Sequence, residues 1–93
     1  MTDIHVYRKG IARLLQCLNR HDPLYDEVLR CRQDLSEYPG AEIVKDLDRL
    51  TRCRIGVSFE TLCTAEEPSA DIDALLDEGC CDQVARLWKQ ACR

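Results

Sequence analysis

Between Pro23 and Gly40 the apolar residues Leu24, Val28, Cys31, Leu35 and Tyr38 recur in alternating steps of four and three. That is the period of one face of an α-helix, and it conflicts with the two-residue alternation of a strand. The residues framing the stripe agree. Asp22-Pro23 reads as an N-cap followed by proline at the first helical position, Asp26 and Glu27 place negative charge in the opening turn, and Pro39-Gly40 stops the helix. A helix with a single apolar face must lay that face on other elements.

The rest of the chain supplies partners in the same period. A first helix, capped by Thr2 or Asp3 and running to about Asn19, puts Ile4, Ile11, Leu14, Leu15 and Leu18 near one face, with Arg8, Lys9, Arg13 and Arg20 pointing elsewhere. Gly10 weakens its middle by ~1 kcal/mol relative to Ala, which predicts a kink or a close packing contact there. A third helix, Ala41 to Cys53, turns Ile43, Val44, Leu47, Leu50 and Cys53 inward, with acidic residues early and Arg49, Arg52 and Arg54 late, as the helix dipole favours. Gly56 ends it. Ser58 caps a short fourth helix, Phe59 to Thr64, and a loop through Pro68 leads to a fifth that starts at Ser69, carries Ile72, Leu75 and Leu76, and closes at Gly79. The last, from Cys81 or Asp82 to Cys92, buries Val84, Leu87, Trp88 and Ala91. No alternating Val/Ile/Thr run is present, so no strand is expected. The 93 residues, 45% hydrophobic with five aromatics, suit one domain. The expected fold is an all-α, compact antiparallel six-helix bundle over residues 1–93, with Leu14, Leu18, Val28, Leu35, Leu47, Leu62, Leu75 and Leu87 in one core.

Several function classes drop out on chemistry. The net charge of −4 argues against nucleic acid, which demands a dominant positive surface. No apolar run approaches the ~20 residues of a membrane span, and the first ten residues lack a secretory signal core, so a cytoplasmic domain is expected. The seven cysteines are odd in number, and they fall mainly on apolar helix faces, as small hydrophobes in a reduced compartment would. None of them has C-x-x-C spacing, and His5 and His21 lack ligand spacing, so neither zinc nor any other metal or cofactor is expected. His5 and His21 are also the only bases near neutral pKa, and both read as solvated. Cys81, near a helix start, is the most reactive-looking thiol, but Asp77, Glu78 and Asp82 oppose its ionisation. No catalytic constellation emerges, and an enzyme is not expected.

Charge is unevenly spread along the chain. Between Ile55 and Arg86 stand eight carboxylates and no Lys or Arg, while all thirteen basic residues lie outside that stretch. Opposed clusters on neighbouring molecules could attract one another. The candidate acidic interface is Glu66, Glu67, Asp71, Asp73, Asp77 and Glu78; the candidate basic one is Arg8, Arg13, Arg49 and Arg52. The plainer alternative is a set of solvated faces, since isolated surface pairs contribute ~0–1 kcal/mol.

The stretches Ile11-Ala12-Arg13-Leu14-Leu15, His21-Asp22-Pro23-Leu24-Tyr25, Ala41-Glu42-Ile43-Val44 with Leu47 and Leu50, and Gly56-Val57-Ser58-Phe59 with Leu62-Cys63 resemble the effector-associated domains of bacterial conflict systems. Some of those modules are similar to caspase-recruitment domains and other death-fold adaptors, and six helices at this size match that superfamily. The related modules carry a longer connection between the second and third helices, where this chain has only Pro39-Gly40. The resemblance implies an adaptor within a longer protein, one that associates homotypically into an oligomer to recruit a protease or a NACHT- or TIR-type effector. It implies no site residue. The other open reading is a non-assembling regulatory or scaffold domain that binds one different protein.

Overall fold

In the computed structural model, which describes residues 4–35, 40–69 and 71–92, the chain forms six helices. These are α1 (Ile4–Gln16), α2 (Pro23–Asp34), α3 (Ala41–Arg54), α4 (Phe59–Thr64), α5 (Ile72–Asp77) and α6 (Cys81–Ala91). No strand occurs among the described residues. The all-α expectation holds, and the six helices fall where the apolar periods place them.

Local chemistry sets most of the boundaries. The Asp22 carboxylate accepts the Leu24 N–H at 3.0 Å, and Pro23 opens α2 as expected. Ser58 caps α4 by accepting the Thr61 N–H at 3.1 Å. Gly79, at φ +75°, lets α5 end in a reversing turn: its N–H donates to the Leu76 carbonyl and the Cys80 N–H to that of Leu75. This pairing satisfies carbonyls that a helix end otherwise leaves orphaned.

Other boundaries differ from the sequence reading. α1 stops at Gln16, not near Asn19, because Cys17 and Leu18 donate to carbonyls three residues back and tighten the last turn. α2 ends at Asp34, with Leu35 already extended, while Tyr38 and Pro39 lie outside the described residues, as do Thr2 and Asp3. The cap of α5 is Asp71, whose carboxylate accepts the Ala74 N–H at 3.2 Å, and not Ser69. In α3 the inward residue of the last turns is Thr51, fully buried with its hydroxyl bonded to the Leu47 carbonyl at 2.7 Å, whereas Cys53 is exposed.

The core joins Ile11, Leu14, Cys17 and Leu18 to Val28 and Leu35, Leu47 and Leu50, Ile55, Phe59, Leu62 and Cys63, and Val84 and Trp88. α1 lies at its centre, packed on α4, α2 and α6, and α3 closes over α2 and α4. Of the eight core residues expected from sequence, six are buried and Leu75 is half-buried against them; Leu87 is a correction, half-buried on α6 but not packed on this cluster. α5 packs chiefly on α6 and has no fully buried residue.

Asp48 fastens α3 to α4. Its carboxylate accepts the Phe59 N–H at 3.0 Å and the Arg52 Nε–H at 2.9 Å. Phe59 is the first residue of α4, so its N–H has no intrahelical partner. The Arg52 bond first, and then the Phe59 N–H, hold the Asp48 carboxyl below the usual carboxylate range. A depressed folded pKa stabilises the fold fully above the ordinary value and loses that contribution as pH falls through the folded one. Asp48→Ala is therefore expected to cost about 0.5–2 kcal/mol at neutral pH, the range of a lost helix cap. Urea titrations at falling pH should show the gap between parent and variant narrowing below about pH 4. A gap of unchanged size in acid would show that the carboxylate is not what holds α4.

Candidate interaction surfaces

The acidic candidates follow one another along the chain on and around α5 and stay exposed. Glu66 and Glu67 lie in the loop after α4, Asp71 caps α5, Asp73 and Asp77 stand on its outer side, and Glu78 is its C-cap. α5 leans on the core through Ile72, Leu75 and Leu76, which leaves the carboxylates between them in solvent. Among the described residues none of these six joins an ion pair. Glu67, Asp71 and Asp73 line a depression of about 300 Å³ together with Gln16, Pro68 and Trp88. Like charges gathered around one depression, with no cation in its lining, create a local negative potential.

The basic candidates are not brought together in the expected way. Arg8 is exposed on α1. Arg49 pairs with Glu27 at 3.1 Å and Arg52 with Asp48 at 2.9 Å, both exposed pairs of the kind that contribute ~0–1 kcal/mol. Nine of the seventeen carboxylates lie outside Ile55–Arg86, and two of them sit against these arginines. Lys45, which the sequence reading passed over, is exposed four residues before Arg49 and seven before Arg52. That spacing puts all three on one outer stripe of α3.

Arg13 is a correction: it belongs to no surface. Only 4% of it is exposed, and its Nη1 donates to the carbonyls of Leu62 at 2.8 Å, Cys63 at 3.3 Å and Ala65 at 2.8 Å. Its guanidinium lies 4.4 Å from the centroid of the Trp88 ring, and the Trp88 indole N–H in turn donates to Gln16 Oε1 at 3.1 Å. Arg13 thus caps the C-terminal end of α4, where carbonyl dipoles favour a cation, and binds the face of an aromatic on α6. The signal was present in the spacing, since Gly10, Arg13, Leu14 and Cys17 stand at i, i+3, i+4 and i+7, and all four are buried.

The thiols gather at one end of the bundle. Cys17, Cys53, Cys80 and Cys81 line a cavity of about 430 Å³ where the α1–α2 loop, the end of α3 and the α5–α6 turn meet. Burial, and next the nearby Cys81 and Cys92, push the Cys17 thiol up to about 12. Cys63 is also pushed to about 12 by burial, against a lowering influence of Arg13. His21 is exposed in the loop before α2, where its backbone N–H donates to Asn19 Oδ1 at 3.0 Å. No helix among the described residues is long and apolar enough to cross a membrane. Comparison with protein-family models, curated proteins and solved structures finds no match for this chain.

Proposed function

We propose that the domain is a homotypic association module of the death-fold-like adaptor kind, which assembles to recruit an effector. The observation that carries this reading is the surface of six exposed carboxylates on and around α5, unpaired among the described residues. Its counterpart on a second copy is the stripe Lys45, Arg49 and Arg52 on α3. Two different patches meeting head to tail make a heterologous contact, which propagates into a ring or an open filament. The existing pairs of Arg49 and Arg52 are exposed and weak, so they can be exchanged for contacts with a neighbour.

Sedimentation velocity over a range of protein and salt concentrations tests the reading. The expected result is concentration-dependent assembly that weakens with salt. Asp73→Lys with Glu78→Lys is expected to weaken it at least ~10-fold, about 1.4 kcal/mol, without unfolding the domain. Mixing that variant with Arg49→Glu/Arg52→Glu molecules should restore pairing. A monomer under all conditions overturns the homotypic reading. It would favour the alternative, a domain that presents its acidic face to one different, cationic protein; the internal pairing of Arg49 and Arg52 supports that alternative.

A further inference from the structure

We propose that the cavity between the end of α1, the end of α3 and the α5–α6 turn is a thiol modification site, where Cys17 and Cys81 form an intramolecular disulfide by exchange with a small-molecule disulfide such as oxidised glutathione. Both residues line this cavity, and Cys81 is foremost among the groups whose charge Cys17 senses. The two thiols differ in access. Cys81 is half-buried at the first position of α6, within reach of a reagent entering the cavity. Cys17 is 6% exposed, and its Sγ–H donates to the Arg13 carbonyl at 3.3 Å. Burial suppresses its ionisation, so it is slow toward reagents in solution and reacts when a mixed disulfide is delivered beside it.

Cys80 is a poor partner for Cys81. Cys80 and Cys81 are adjacent in sequence, so their Cα atoms lie ~3.8 Å apart, below the usual disulfide range. Cys80 Sγ is instead engaged with Glu78 Oε2 at 4.0 Å. Small shifts of Cys81 are permitted locally. Cys80 makes no side-chain cap bond to α6, and the positive-φ Gly79 precedes it.

The exchange balances in two steps. Cys81, having released its proton to water, attacks one sulfur of oxidised glutathione; the S–S bond breaks, and one glutathione leaves as a thiolate and takes up a proton. Cys17 then gives up its proton and attacks the Cys81 sulfur, which expels the second glutathione, protonated in turn. Two protein thiols are oxidised by two electrons, and one oxidised glutathione is reduced to two thiols. The new bond ties α6, and through it the acidic α5, to the end of α1.

The test uses the full chain in glutathione buffers from reducing to oxidising, with trapping by alkylation and non-reducing peptide mapping. The expected result is a Cys17–Cys81 link within one chain, a thermal midpoint about 5 °C or more above the reduced form, and reversal on reduction. Cys81→Ser, at a half-buried position, should abolish both the link and the shift. Three results would each overturn the proposal: Cys17 left free while Cys53, Cys80 or Cys81 carries glutathione, a dominant link from Cys17 to another cysteine, or disulfides only between chains.

Discussion

Arg13→Ala is expected to lose about 3–5 kcal/mol of stability, the range for breaking a buried, charged network. A domain of 93 residues has only about 5–14 kcal/mol in total, so the variant should lose a large share of its stability. The loss has three physical sources. The carbonyls of Leu62, Cys63 and Ala65 lose a charged donor in a buried place, and each unsatisfied group costs about 1–3 kcal/mol. Trp88 loses the cation on its face, and the removed side chain leaves a void between α1, α4 and α6. Two further variants separate these sources. Arg13→Met restores most of the volume but donates nothing, so its deficit measures the cap on α4. Arg13→Lys keeps the charge but not the planar fork, and should recover only part of the loss. Urea unfolding followed by Trp88 fluorescence reads all three. If Arg13→Met proves as stable as the parent, the carbonyl cap contributes nothing and the core is held by packing alone.

Arg13 also marks where reading the chain by itself stops working. The caps Asp22 and Ser58 were legible because the group each satisfies lies two or three residues away. The choice of Asp71 over Ser69 was missed although both stood before Ile72; the carboxylate directly adjacent to the helix is both a good cap and a match for its dipole. For Arg13 the three-to-four spacing was visible, but the partners of its guanidinium lie about fifty positions later, at the end of another helix. A charged residue on an apolar stripe then reads as misplaced. The charge segregation has the same limit. Order along the chain shows that α5 and its flanks are acidic, and those carboxylates are indeed exposed. It does not show that Glu27 reaches Arg49 from α2, or that Asp48 turns toward Arg52, because those neighbours depend on how α2 and α3 pack and how α3 is rotated.

The close approach expected at Gly10 is where α1 meets α4, and Gly10→Val is expected to lose about 3 kcal/mol or more, at or beyond the upper end of core overpacking. A glycine in mid-helix costs about 1 kcal/mol relative to alanine, so its presence here needs a compensating contact. The structure supplies one: a Cβ at Gly10 would overlap Cys63 Sγ and stand 3.0 Å from two ring carbons of Phe59. Neither neighbour moves easily. Phe59 and Cys63 are 1% and 3% exposed, and the Phe59 ring stacks on Tyr7 with centroids 6.0 Å apart. For Gly10→Ala two effects of similar size oppose each other, a gain of about 1 kcal/mol in helix propensity and an overpacking cost of about 1–3 kcal/mol. The overlap with sulfur decides the sign, and a net loss is expected. Removing that sulfur provides the internal control. In a double-mutant cycle Gly10→Ala should be less harmful in a Cys63→Ala background, with a coupling of at least about 1 kcal/mol. If Gly10→Ala instead stabilises the parent by the full propensity gain, α1 and α4 have room between them, and the glycine is not what sets their approach.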